Sequence, residues 1–269
     1  MKTDVYTIIP PKRPRVPILV SVPHCGTQFP EDIKDQYNPE LIAAPDDTDW
    51  FVHRLYDFVS ELGITMIYAH YSRWVIDLNR DPESKPLYDD GRAITSLTPD
   101  KTFAGENLYM NSPPDQAEIE RRKKLYYWPY HHKVGELLQE LKSEFGAALL
   151  FDCHSIRRQV PSIYEHPFPD LILGDNDGKS AGSELIKTAW DVLEKSPFQP
   201  MHNTLFKGGH ITRSFGKPAT GIHALQLEMS KDLYMDDEEM AYHSQRADYM
   251  RQTLKGLMFG LIRELTIER

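Results

Sequence analysis

The sequence predicts an α/β fold, a mixed and mostly parallel sheet flanked by helices, and three features carry that prediction. Short apolar runs that read as buried strands alternate with amphipathic helical stretches, an order that suits a helix-covered sheet better than an all-β sandwich. Polar residues cluster just after the strand runs, where parallel α/β sheets bind their ligands. With 269 residues, 40% of them hydrophobic and 11% aromatic, the chain can bury one large core, so residues 1–269 read as a single domain.

The first strand spans Val16 to Val22 and ends in Pro23-His24-Cys25-Gly26, where the glycine allows a sharp turn. Asp47 then reads as the N-cap of a helix from Trp50 to Leu62, with Gly63 as its stop. Ile64 to Tyr71 reads as a second strand. The stretch Arg73 to Asn79 alternates, which places Arg73, Val75, Asp77 and Asn79 on one face and Trp74, Ile76 and Leu78 on the other. Residues 81 to 113, rich in proline and glycine, read as a long irregular loop of the kind that often joins a binding site. Asp115 to Phe145 reads as a long helix kinked near Pro129, because proline removes one helix hydrogen bond.

Ala147 to Cys153 reads as a buried strand running into Asp152-Cys153-His154-Ser155, and its parity puts Asp152 and His154 on one face. A short strand at Leu171 to Gly174 and a helix at Ala181 to Glu194 follow. On the strand from His223 to Met229, Ala224, Gln226 and Glu228 face one way while Leu225, Leu227 and Met229 face the other. Glu238 to Glu264 reads as a closing helix.

Charge narrows the functional classes. Lys and Arg number 31 against 40 Asp and Glu, a net −9. The one dense basic run, Arg121 to Lys124, follows Glu118 and Glu120 on a predicted helix and reads as a solvated face, so no nucleic-acid partner is expected. No apolar run approaches the roughly 18 residues that span a bilayer, and the N-terminal residues lack the pattern of a secretory leader. Two cysteines, Cys25 and Cys153, are no disulfide framework, and a reducing, cytoplasmic setting is expected. The oligomeric state is left open.

His24 and His154 both stand at strand ends, and Glu228 is a carboxylate on an otherwise apolar strand, costly to bury without a partner. Catalytic zinc needs three N or O ligands with an open fourth position and a carboxylate nearby to take a proton. His24 and His154 can supply two of those ligands, and Asp47 or Asp49 the third, although either acid could instead cap a helix. No HExxH motif is present. Arg73, Arg80, Arg157 and Arg213 lie in or beside the same polar turns, and a guanidinium matches a carboxylate bidentately. Arg213 ends the glycine-containing turn Lys207-Gly208-Gly209-His210-Ile211-Thr212, where backbone amides could also approach an anion. An acidic protein that holds an acidic substrate has to concentrate positive charge locally.

Six motifs, in order, resemble the N-formylglutamate amidohydrolase family: Ser21-Val22-Pro23-His24-Cys25-Gly26, Asp47-Thr48-Asp49-Trp50, Ser72 to Arg80, Asp152-Cys153-His154-Ser155, Phe206 to Arg213 and Leu225-Gln226-Leu227-Glu228. Cys25, Cys153 and His210 stand where that family commonly has Ser, Ala and Tyr. The resemblance implies an α/β fold similar to zinc carboxypeptidases and aspartoacylases, one Zn2+ per chain, and hydrolysis of a small anionic N-acyl amino acid, N-formyl-L-glutamate, to formate and glutamate in histidine degradation. On that basis His24, His154 and Asp49, in preference to Asp47, would hold the metal, and Glu228 would be the general base. Arg73 or Arg157 would stabilise the oxyanion, and Arg80 and Arg213 would dock the substrate carboxylates beside His210 and Asn79. Asp152 would orient a ligand histidine.

Three rival readings stay in view. A cysteine-nucleophile amidase would use Cys25 beside His24 or Cys153 beside His154, but consecutive strand residues point to opposite faces. A non-catalytic carboxylate-binding protein would keep the arginines alone. A deacylase of another N-acyl amino acid would share the metal site.

Overall fold

A computed structural model of the chain describes residues 4–85 and 96–267. Seven strands, β1 (Tyr6–Ile9), β2 (Ile18–Val22), β3 (Thr65–Ala69), β4 (Ala148–Ile156), β5 (Leu171–Gly174), β6 (Pro200–His202) and β7 (Ile222–Ser230), form one sheet in the order β1-β3-β2-β4-β7-β5-β6. The central run β3-β2-β4-β7 is parallel, as is the β5–β6 pair, whereas β1 joins β3 and β5 joins β7 antiparallel. The expected mixed, mostly parallel sheet is therefore present.

Strands covered on both faces must be largely apolar on both, and β2 and the first halves of β4 and β7 are, before Asp152, His154, Gln226 and Glu228. On one face Val20, Phe151, Leu225 and Leu227 join a cluster with residues of α2 (Val52–Leu55), α5 (Ser183–Glu194) and α7 (Ser244–Ile267). On the other, Leu19, Leu150 and Ala224 pack against Trp74, Ile76 and the Val134, Leu138 and Leu141 row of α4 (Trp128–Phe145). The helices α1 (Pro39–Ala43), α3 (Gln116–Arg122) and α6 (His210–Phe215) complete the set.

Several elements differ from their expected form. The helix expected over residues 50–62 is only the single turn α2 followed by a 3-10 stretch, Asp57–Leu62, closed by left-handed Gly63. Asp47 does not cap it. Its buried carboxylate instead accepts hydrogen bonds from Trp74 Nε1 at 2.8 Å and Phe103 N at 3.1 Å, donors that burial makes obligatory. Residues 73–79 are a succession of turns, not a strand, because Asp77 accepts from the Asn79 amide and the Arg73 guanidinium. Trp74, Val75, Ile76, Asp77 and Leu78 are all buried, so the alternation in sequence marked no solvent-facing edge.

In the long helical stretch, a π turn, Lys123–Tyr127, joins α3 to α4 and admits Pro129, whose missing N–H a regular α-helix would have to absorb. The closing helix starts at Ser244, because Asp236 folds the preceding residues into a loop by accepting from the Met240 and Ala241 amides. The expected loop of residues 81–113 lies partly outside the described residues; its described flanks are irregular. Strands β1 and β6 were not expected, and α6 occupies what reads in sequence as a flexible turn.

Candidate active site

The C-terminal ends of β2, β4 and β7 deliver the polar residues to one place, as parallel topology requires. His24 follows β2, and Asp152 and His154 sit near the end of β4. The strand register places Glu228 of β7 directly opposite His154 and Gln226 opposite Asp152. Two loops bring the rest: residues 46–50 carry Asp49, and the turns at 72–79 carry Arg73, Asp77 and Asn79. Only a glycine permits the packing of α6 on this centre, since a Cβ at Gly209 would overlap the Asn79 carboxamide.

His24, Asp49 and His154 are buried, and one ligand atom from each lies within 4.8 Å of the other two. Asp49 Oδ2 is 3.1 Å from His154 Nδ1 and 3.7 Å from His24 Nδ1. The far ring nitrogens are tied to carboxylates: His24 Nε2 lies 2.7 Å from Asp77 Oδ1 and His154 Nε2 lies 3.0 Å from Asp152 Oδ2. His24 Nδ1 is buried with no hydrogen-bond partner among the described residues. Two imidazole nitrogens and a carboxylate oxygen aimed at one point, with both rings oriented from behind by aspartates, fit a divalent cation of the zinc type.

The electrostatics of the cluster are sharply divided. Burial and the Arg73 guanidinium push His24 down, against the pull of Asp77 and Asp49. Burial opposes charge on His154 too, but Asp152 and Asp49 outweigh it and hold that imidazole well above its ordinary value. Burial would raise Asp77, yet Arg73, His24 and Arg80 keep it well below the usual carboxylate range. Glu228 goes the other way: burial, with Asp49 and Asp152 nearby, pushes it up to about 8 against the opposing His154 and Arg73. A carboxyl poised near neutrality can take and return a proton at working pH.

Arg73 belongs to this centre, paired with Asp77 Oδ2 at 2.6 Å. Asn79 also belongs to it, with Nδ2 3.0 Å from His154 Nε2 while Oδ1 accepts from the Ile211 amide. Arg80, half-buried, lies 3.9 Å from Asp77, and Arg213 donates to Gly208 O from within α6. His210 opens α6 beside Asp81, Tyr127 and His131. Arg157 points elsewhere: its guanidinium pairs with Asp46 and Glu239. Both thiols are buried in the apolar cluster on the sheet face away from His154, and burial pushes both up, which leaves no ready thiolate.

Two site-forming residues escaped the sequence reading of roles. Asp77 orients His24. Gln226 accepts from the Gly209 amide at 2.7 Å and reaches Glu228 Oε2 at 3.5 Å. A polar residue inside an apolar run was the available signal for both.

Comparison with known proteins bears on this geometry. A family model for N-formylglutamate amidohydrolase matches residues 16–235. The chain is 42% identical over 254 residues to an N-formylglutamate deformylase of Pseudomonas aeruginosa, covering 93% of this chain and 94% of that protein. It is 39% identical over 251 residues to one of Pseudomonas putida, covering 92% and 93%. The crystal structure of an N-formylglutamate amidohydrolase from Ralstonia eutropha superposes with a TM-score of 0.82 at 25% identity, covering 97% of this chain and 99% of that one. A gene product of Agrobacterium tumefaciens shares the fold, with a TM-score of 0.72 at 18% identity over 96% of each chain.

Proposed function

Because the chain belongs to the N-formylglutamate amidohydrolase family, we propose that it is a zinc-dependent deformylase that cleaves N-formyl-L-glutamate to formate and L-glutamate. The observation that carries the reading is the convergence of His24, Asp49 and His154 on one point, with Glu228 directly across the strand pair from His154. These three side chains would hold one ion per chain. A bound zinc ion supplies Lewis acidity to a carbonyl oxygen and makes a water acidic near neutral pH.

The chain's own residues account for the remaining requirements. Glu228, kept near neutrality by burial, takes the proton of the attacking water and passes it to the departing amine nitrogen. Gln226 holds one carboxyl oxygen of Glu228 and leaves the other for that exchange. Arg73, fixed by Asp77, is the cation placed to stabilise the oxyanion that forms at the formyl group. Asp77 and Asp152 keep both ligand imidazoles in position. Asn79, held by the Ile211 amide, sits beside His154, and Arg80 and Arg213, with His210 between the turn and α6, meet the substrate's α-carboxylate.

The physiological setting that follows is the formyl-glutamate step of histidine degradation in the cytoplasm; among the described residues no helix is long and apolar enough to cross a membrane. The test is a panel of N-formyl and N-acetyl derivatives of Glu, Asp, Gln and Ala, with metal-stripped and zinc-reconstituted protein. Turnover concentrated on formyl-Glu and dependent on metal supports the reading. Turnover that survives metal removal, or that favours acetyl substrates, refutes it.

A further inference from the structure

A single buried phenol joins two of the chain segments that carry the metal-ligand candidates. Tyr234 lies fully buried just after the 3-10 turn Lys231–Leu233 that follows β7. Its hydroxyl is 2.9 Å from the Trp50 carbonyl and 2.8 Å from Ser155 Oγ. A carbonyl can only accept, so the phenol's one proton goes to Trp50 O, and the serine hydroxyl donates to the phenol oxygen. Trp50 follows Asp49, and Ser155 follows His154.

Both partners lie where the ligand positions are set. Ser155 shares its strand parity with Phe151 and Cys153, so it leaves β4 on the face opposite His154, where Tyr234 packs in the apolar cluster behind the site. Trp50 O belongs to the peptide that leads into Phe51, whose φ of 63° is left-handed backbone that a bulky side chain rarely adopts. Such a conformation persists only where its surroundings hold it. The bond from Tyr234 holds that peptide, and Lys231 Nζ donates to the Asp46 carbonyl at 2.8 Å, so the segment after β7 secures both ends of the loop that presents Asp49. The Asp49 amide donates to the His24 carbonyl at 3.0 Å, which passes the constraint to the third ligand candidate.

We propose that Tyr234 is a positioning residue for the metal centre, a clamp that fixes Asp49 against His154 through Trp50 and Ser155. The proposal rests on the zinc reading of His24, Asp49 and His154, and it adds a determinant of metal affinity that lies behind the ligand set.

The test measures the zinc dissociation constant by chelator competition, and the visible absorption of the Co2+-substituted protein, for wild type, Tyr234→Phe, Ser155→Ala and the double variant. Tyr234→Phe keeps the ring and its packing and removes only the hydroxyl. Its affinity should fall by roughly 10-fold, the lower end of the range for groups that orient metal ligands, and the cobalt spectrum should change shape. Ser155→Ala cuts one arm and should lose less. Because both hydroxyls act through one chain of bonds, the double variant should bind zinc no more weakly than Tyr234→Phe alone. Denaturant unfolding of the metal-free proteins separates this role from a purely structural one, since a hydroxyl that only stabilises the fold lowers the unfolding midpoint and leaves the folded protein's zinc affinity and cobalt spectrum as in wild type. An unchanged dissociation constant in Tyr234→Phe, or additive losses in the double variant, would overturn the clamp and leave the zinc reading standing. If Tyr234→Phe does not fold, Ser155→Ala decides alone, and wild-type affinity there overturns the clamp. Wild-type protein that binds no zinc would overturn both.

Discussion

His24 Nε2 lies 2.7 Å from Asp77 Oδ1, while the same carboxylate's other oxygen takes the Arg73 guanidinium at 2.6 Å. One buried aspartate therefore sets the orientation of a metal-ligand candidate and of the cation nearest to it. Asp77→Asn should keep the shape but lose the charge that holds both. Carboxylates behind a ligand histidine typically contribute 10- to 100-fold to metal affinity, and a loss of about that size is expected here. Zinc competition against a chromophoric chelator measures it; an unchanged dissociation constant would mean that Asp77 serves Arg73 alone.

The sequence made parts of this centre legible and hid others, for reasons that lie in periodicity. On β4 and β7 the period of two is enforced by burial on both faces, so the sequence alone sets Asp152 and His154 on one side of β4 and Glu228 apart from its apolar neighbours on β7, while the pairing that unites them belongs to the strand register. His24 was legible because a polar residue directly after an apolar strand has few structural reasons to be there. Between residues 72 and 79 the same period of two misled, since both parities are buried and the chain turns instead of extending. Asp77 was thus placed on a face when it is in fact a hub. Arg157 seemed near the chemistry because it follows His154 by three residues, but beyond the end of β4 strand parity no longer governs direction, and its partners are Asp46 and Glu239.

Zinc and a proton should compete for His154. In the metal-free protein Asp152 and Asp49 overcome burial and hold this imidazole protonated well above its ordinary value, with Nδ1 facing Asp49 at 3.1 Å. A histidine raised on folding stabilises the apo protein fully below about pH 6.5 and loses that contribution as pH rises through its folded value. Metal binding requires the neutral ring, so affinity should rise with pH, with release of about one proton per ion near neutrality. Calorimetry in buffers of different ionisation enthalpy counts that proton. Release of none, or an affinity flat with pH, contradicts the assignment of His154 as a ligand.

Glu228→Gln separates proton transfer from metal binding. A positioned general base contributes about 10²- to 10⁴-fold, and kcat should fall by that much with zinc content unchanged. The same variant carries a stability signature. A carboxyl raised to about 8 favours the folded state most below its unfolded value near 4.5, and that advantage is lost as pH climbs through 8. Metal-free Glu228→Gln should therefore resist denaturant better than metal-free wild type at pH 8 and above, by up to about 5 kcal/mol. Near-wild-type turnover would remove Glu228 from the base role, whatever the stability result.

Acid should reach the fold through His131 before it reaches most of the core. This residue of α4 is buried between Tyr127 and Phe215, stacked on both, with Nε2 2.8 Å from the Leu78 carbonyl. Burial lowers it to about 3, with His210 and His132 adding to the effect against the Leu78 carbonyl. Folding thus holds the ring neutral, and since the unfolded ring protonates near 6.5, the stabilisation is whole above that pH and drains away as pH falls toward 3. Near pH 4.5 the loss amounts to roughly 2 to 3 kcal/mol. His131→Phe keeps the stack and cannot be protonated, although it forfeits the bond to Leu78, about 1 kcal/mol at neutral pH. Denaturant unfolding from pH 7 to pH 4 should show the variant slightly weaker at the top of the range and less steeply dependent on pH below 6. Parallel curves for the two proteins would place the acid sensitivity in some other group.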